Sequence, residues 1–294
     1  MRMRKTLIAG IVAACLSLPL AGAAQDALFA NPKIFKTNGG LKPAAERTVY
    51  LPVVQVKWML HGTGSARGFS TTMYQEVDSP LDAARVGSIA QALHDDLVAQ
   101  LEAAGWNVQT RQELGSDVPR YKPAAANGEL GVPTIKDRGG MEYALIAPAD
   151  MPAVANEGMA LAGINMATGS YLRGKPGVNL FVTYGFATAA IRETRSRMLD
   201  METRPVLTLS GAIMASTANS GFFAYNDAVE VASDIGSLEL THATGTATKI
   251  LRFAAGMRQV DKKVYALQPD WDKLEAEAIR GGKAFNAEIV ARLK

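Results

Sequence analysis

Two periods of apolar and polar residues run along this chain, and they divide it into predicted strands and helices. The run "VYLPVVQVKW" (49–58) is almost continuously apolar, which suits a buried strand, and a first strand is predicted over 48–60. In "SPLDAARVGSIAQALHDDLVAQLEAAG" (79–105), Val86, Ile89, Leu93, Leu97 and Leu101 recur at steps of three and four. That stripe predicts an amphipathic helix, with Ser79 as N-cap, Pro80 at the first helical position and Gly105 as the stop. "WNVQTR" (106–111) alternates like a strand returning beside the first. Residues 48–111 are therefore expected to form a β-α-β unit with a right-handed crossover.

Further along, residues 112–140 are rich in Gly, Pro, Asn and Lys without a period, and a soft domain boundary is placed there. "MEYALIAPA" (141–149) reads as a short buried strand, and residues 151–172 as a helix packing closely through Gly158 and Gly163. In "VNLFVTYGFATAAIR" Val178, Leu180, Val182, Tyr184 and Phe186 share one face, and in "PVLTLSGAIMAST" Leu207, Leu209 and Ile213 do the same. These two are expected to be an antiparallel pair joined by the charged tip "ETRSRMLDMETR" (193–204). "FFAYNDAVEVA", "SLELTHA" and "TATKILRFA" add shorter strand-like pieces, so a mixed sheet is expected. The C-terminal "PDWDKLEAEAIRGGKAFNAEIVARLK" reads as a helix with a stripe of Trp271, Leu274, Ala278, Phe285, Ile289 and Leu293. Gly281 and Gly282 inside it each cost about 1 kcal/mol relative to Ala, which points to a kink or a close approach to the sheet. The predicted class is α/β (α+β): a mixed sheet with an N-terminal β-α-β unit, long antiparallel strands in the second half and a C-terminal helix packed on the sheet. Residues 48–294 are read as one domain after an arm at 25–47.

Composition and charge change the picture at the N-terminus. Residues 1–24 have a basic start (Arg2, Arg4, Lys5), an apolar stretch from Leu7 to Leu20 and small residues before Gln25. This is the pattern of a secretory signal, and the stretch is short for a membrane span of about 20 residues. Export to the periplasm is expected. The single cysteine, Cys15, lies inside that segment, so no disulfide is expected in the mature chain. "VAAC" also resembles a lipoprotein signal, in which Cys15 would carry lipid at the outer membrane; the apolar "LSLPLAGAA" after it argues against that. The chain carries 31 Lys+Arg and 28 Asp+Glu. Without the three basic residues of the leader, 28 face 28 and the net charge is zero, which excludes the basic footprint of a nucleic-acid binder.

Candidate chemistry is sparse. "LHGTGS" after the first strand is similar to the oxyanion loop of α/β-hydrolases, so an esterase using it is one alternative. The loop's glycines, Gly62, Gly64 and Gly68, are alternatively turn residues with positive φ. No serine carries the G-x-S-x-G elbow; Ser70 and Ser210 come nearest, and the acids Asp227 and Asp234 with His242 crowd close behind Ser210. His61, His94 and His242 form no metal-ligand spacing, and His94 beside Asp95 and Asp96 reads as a solvated helix edge. "TGTATK" (244–249) lacks the glycines of a phosphate loop. No cofactor is expected.

The arrangement of a first strand followed by "LHDDLVAQLEAAGWNVQTR", with Leu93, Leu97, Leu101, Gly105, Trp106, Val108 and Arg111, resembles the N-terminal region of TolB and of the curli-secretion (CsgG-like) envelope proteins. "MEYALIA" looks like a later strand of that family. The resemblance implies a non-enzymatic α/β domain active in envelope assembly or transport. The alternating strands also fit an oligomeric outer-membrane-associated assembly protein, since two strands of one chain close no barrel alone. The reading from sequence is a periplasmic protein that binds a small or apolar ligand or envelope proteins, with homo-oligomers among the alternatives. A ligand is expected near the loop after the first strand, at His61, Gly62, Gly64, Ser65 and Arg67, with Phe222, Phe223 and Tyr225 as apolar wall.

Overall fold

The computed structural model describes residues 28–29, 31, 34–67, 71–137, 139–156, 159–194 and 200–293. The leader-like segment with Cys15, and Gly68, Ser70 and Gly158, lie outside the described residues. The strands are β1 (Phe35–Gly40), β2 (Thr48–Arg67), β3 (Thr71–Asp78), β4 (Asn107–Thr110), β5 (Thr134–Lys136), β6 (Glu142–Ile146), β7 (Val178–Thr194), β8 (Asp200–Ser216), β9 (Gly221–Asn226), β10 (Val229–Ser233), β11 (Gly236–Ala243) and β12 (Gln259–Pro269). The helices are α1 (Ala83–Ala103), α2 (Arg111–Leu114), α3 (Met159–Tyr171), α4 (Thr246–Ala254) and α5 (Trp271–Leu293). All of these strands join one mixed sheet, with the path β1-β9-β8-β7-β2-β3-β12-β11. Strands β4 and β6 also pair with β2, β5 with β6, and β10 with β8.

The β-α-β expectation holds in its pairing: β4 runs parallel to the start of β2, from Thr48↔Asn107 to Leu51↔Thr110, after α1. It misses a strand. The residues after 60 continue β2 to Arg67 and turn back as β3, antiparallel from His61↔Asp78 to Arg67↔Thr72. Helix α1 accordingly starts later than predicted, with Asp82 as the N-cap accepting from the Arg85 amide. Ser79 still belongs to the strand exit: its amide donates to the Leu60 carbonyl and its hydroxyl accepts from Thr188. The other end is as expected. Gly105 has φ +82°, and its amide returns to Glu102 O while that of Trp106 returns to Leu101 O.

Parity along the strands decides which residues meet the helices. Val54, Val56, Trp58, Val182, Tyr184, Phe186, Leu207, Leu209 and Ile213 form one core with the stripes of α1 and α5. Within it, Asn286 of α5 is fully buried. Its amide donates to Leu93 O at 3.0 Å and to Asp96 Oδ2 at 2.8 Å, and its carbonyl accepts the Tyr184 hydroxyl at 2.5 Å. Every polar group of that side chain is thereby answered, as burial requires. Removal from water, and then the nearby Asp96 charge, push the Tyr184 phenol well above the ordinary tyrosine range.

The two glycines of α5 mark a close approach, to the sheet at Gly281 and to α1 at Gly282. A Cβ on Gly282 would run into the side chain of the fully buried Leu93 of α1, and one on Gly281 would sit 2.8 Å from Val231 Cγ1 of β10. The neighbour across Gly282 is a helix, where the sequence suggested the sheet. Three other expectations need correction. Gly163 of α3 has open space at its Cβ position, so it is not a packing glycine. His94 is buried, because α1 turns it inward toward the layer it shares with α5. "TATKILRFA" is helix α4, its Ile250, Leu251 and Ala254 being spaced for a helical face although its β-branched residues read as strand.

The opposite face of the sheet bends. The ladders slip after Met59 in β2 and after Ala187 in β7, and such bulges turn strands. Beyond them, Met59, Val77 and Leu267 meet Ala189, while Ala66 and Met73 meet Met201 and Ile191. The outer β2–β3 hairpin thus lies on the outer half of the β7–β8 hairpin. Gln75 fastens the two, donating to Met201 O at 2.9 Å and accepting from the Thr203 hydroxyl. Most of the predicted charged connector is therefore strand, and only residues 195–199 of it lie outside the described residues.

The Gly282 contact has a measurable sign. Gly282→Ala gains up to about 1 kcal/mol of helix propensity and loses about 1–3 kcal/mol to overpacking on Leu93. The net effect expected is destabilisation, whereas Gly87→Ala, at an open position of α1, stabilises by about 0.5–1 kcal/mol; urea melts of both variants compare them. The Tyr184 environment predicts a pH effect. A phenol whose folded pKa is raised stabilises fully below the unfolded value of 10.0 and loses that stabilisation as pH climbs past it. Tyr184→Phe should lower stability at neutral pH by about 1–3 kcal/mol, because Asn286 loses its donor, and should flatten the decline above about pH 10 in the same melts.

Candidate functional site

Strand register places four side chains in a row across the uncovered part of the open face: Gln55, Thr183, Ala212 and Tyr225. The next row is Lys57, Gly185 and Ser210. Thr183, Ala212, Gly185 and Ser210 floor a groove of about 260 Å³ walled by Lys57, Asn156, Phe223 and Tyr225. One end is closed by residues 151–156. The Gln55 side chain holds this segment to the sheet by a reciprocal pair with Val154, its amide donating to the carbonyl and its oxygen accepting from the amide, each at 2.8 Å. Asn156 then donates to Thr183 Oγ1 at 2.9 Å. Behind this closure Val53, Phe181, Met214, Val154 and Ile164 of α3 make a second, smaller core, with Phe223 packed against it.

The groove combines an aromatic wall with one cation. Phe223 and Tyr225 have ring centroids 5.6 Å apart, and Tyr225 is 40 % exposed. Lys57 Nζ lies 4.1 Å from the centroid of the Tyr143 ring. On the far side Lys36 pairs with Asp227 at 2.5 Å and stands 5.7 Å from the Tyr225 centroid. At Gly185 the floor is flat for a steric reason, since a Cβ there would sit 2.7 Å from Ser210 O. An apolar group can lie on the two rings while Lys57 meets a carboxylate or carbonyl at its end.

The sequence-predicted site falls into two parts that the fold separates. His61, Ser65 and Arg67 share a face of the β2–β3 hairpin. His61 Nδ1 is 2.7 Å from Asp78 Oδ1, and its Nε2 is 4.0 Å from Glu76 Oε2, which also meets Lys262 through its other oxygen at 2.8 Å. Gln55 is level with Tyr225, and His61 is six residues further along β2; at 3.3 Å per residue and 4.8 Å per strand the two lie about 25 Å apart along the sheet. Phe222 points the other way, into the core with the helices, and is buried. Only Phe223 and Tyr225 of the predicted wall line the groove, and Lys57, Asn156, Thr183 and Gly185 were not singled out from sequence. Parity with the buried residues of β2 and β7 is the signal that could have found Lys57 and Thr183. Asn156 had none.

The oxyanion reading is also corrected. "HGTGS" is regular strand, in which successive amides point to opposite edges and do not converge on one oxygen. Its glycines serve packing: neither Gly62 nor Gly64 has positive φ, and a Cβ on Gly64 would collide with Ile191. Ser210 donates to Gly185 O at 3.3 Å. Among the described residues no histidine approaches it, because His61 pairs with Asp78, His94 with Asp95, and His242 lies exposed on β11. No cluster of three or more potential metal ligands occurs among the described residues. No helix there is long and apolar enough to cross a membrane.

Compared with known proteins, the chain matches no family model, no curated protein and no solved structure. The groove must therefore be judged on its own chemistry. Purified protein is expected to release p-nitrophenol from short esters at the rate of buffer alone, with Ser210→Ala indistinguishable from it; turnover abolished by that substitution would reinstate the hydrolase reading.

Proposed function

We propose that this is an exported, non-enzymatic binding protein of the cell envelope, and that the open-face groove takes a small ligand or the side chains of an envelope protein. The observation that carries the reading is the makeup of the groove: an aromatic wall, a lysine held over the Tyr143 ring, and a serine whose hydroxyl donates to a backbone carbonyl, with no histidine in the lining. Nucleophilic catalysis needs a base within hydrogen-bond reach of the nucleophile, and recognition needs only an apolar surface with a few oriented polar groups. A volume of about 260 Å³ lies just below the usual range for small-molecule sites, roughly 300–1,000 Å³. It favours a compact ligand with one acidic or carbonyl end, or one or two side chains of a peptide.

Export is supported by the leader-like first 24 residues and by a remaining chain that contains no cysteine. The likeness of residues 48–111 to the N-terminal region of TolB and the curli-secretion proteins supports a role in envelope assembly or transport. The test is a solvent extract of purified protein analysed by mass spectrometry. A bound species present in wild type and lost from Lys57→Ala/Tyr225→Ala, with circular dichroism unchanged, is the expected result. Extracts identical for the two proteins would defeat the groove as the binding site.

A further inference from the structure

Helix α4 is amphipathic in the wrong sense for a protein surface. Ala247, Ile250, Leu251 and Ala254 recur at helical spacing on one face, and that face points to solvent. Ile250 is 61 % exposed and Leu251 70 %, and Met257 in the following turn is 64 % exposed. The polar side is the one turned inward: Lys249 reaches Asp261 of β12 at 2.8 Å, and Arg252 is half-buried. A surface helix ordinarily buries its apolar stripe against its own protein. Here that stripe is presented outward, and none of the described residues covers it.

Charge says what the cover is. From residue 240 to 263 the chain has Lys249, Arg252, Arg258, Lys262 and Lys263 against one acid, Asp261, which Lys249 pairs with. The site also stands on a rim. Strand β12 is parallel to β3 with Gln259 level with Thr71, so α4 and its turn sit at the outer end of the β2–β3 hairpin. The exposed Arg67 is there too, paired with Thr72, which is in turn paired with Val260. A short helix with bulky aliphatics outward and cations alongside is the form in which helices lie in the headgroup boundary of anionic bilayers. A groove on another protein would reward the aliphatic residues but gives no reason for the excess of cations over that one acid.

We propose that the solvent-facing side of α4, with Ile250, Leu251 and Met257, seats in the headgroup region of an anionic phospholipid surface and orients the protein with its hairpin end toward the membrane. This goes beyond the groove reading and stands or falls separately from it. The test is co-sedimentation of the full chain, wild type and Ile250→Ser/Leu251→Ser, with phosphatidylcholine vesicles containing about 30 mol % phosphatidylglycerol and with pure phosphatidylcholine. Expected are binding of wild type to the anionic vesicles, loss of at least about tenfold in the double variant, and weakening in about 0.5 M salt. A second variant, Leu251→Trp, should shift its added fluorescence to the blue on meeting anionic vesicles, and this arm decides if the double variant misfolds. The proposal is overturned if wild type ignores the vesicles, if both proteins bind alike, if the tryptophan emission stays unchanged, or if the double variant alters only the oligomer size in light scattering. That last outcome would mean that a second copy of the chain covers the helix.

Discussion

The contact between α1 and α5 at Gly282 is the constraint on which the rest of the architecture depends. Because that position carries no side chain, α5 lies directly on Leu93, and the fully buried Asn286 then reaches α1 and the sheet together. Two helices held this closely act as one slab. They cover the central face of β2, β7 and β8, and the residues of opposite parity on those strands are left for other uses. The cost of the two glycines in a helix interior, about 2 kcal/mol in all, is offset by an apolar layer with no large side chain forced apart.

The open face follows from what the slab does not cover. Two ladder slips bend the outer hairpins onto each other, and the segment at 151–156 closes the inner end through Gln55. Between these the sheet stays bare for a few residues, and the groove occupies that interval. Its polar groups come from strands far apart in sequence, Lys57 on β2, Thr183 on β7 and Tyr225 on β9. They are neighbours because parallel and antiparallel pairings bring 55, 183, 212 and 225 into one row. No local motif announces such a site.

Among the described residues the exterior offers broad surfaces and no cluster of three or more potential metal ligands. The histidines are tied to adjacent carboxylates or lie exposed, and the serine nearest the groove is bonded to a backbone carbonyl. What distinguishes the exterior is a half-apolar trough on the sheet and an inverted helix on the rim. The trough is lined from β2, β7, β8 and β9 and the helix is tied to β12, so the proposed ligand and the proposed bilayer contact would use different residues.

The elements with long regular periods were legible from the chain alone: the stripe of α1, that of α5, and the buried faces of β7 and β8. Each records a single apolar surface that burial must cover, and the 3.6- and 2-residue repeats state which side chains share it. The mixed α/β class followed from them. Tertiary structure decided where a period is ambiguous or broken. "HGTGS" looked like a loop because glycines punctuate loops, but its glycines make room for the opposing hairpin at Ile191. "TATKILRFA" read as strand because β-branched residues favour one, until its position at the end of β11 left helix as its form. Which strands stand side by side depends on contacts across more than a hundred residues, and a one-dimensional pattern carries the faces of each element but not the partner each face will meet.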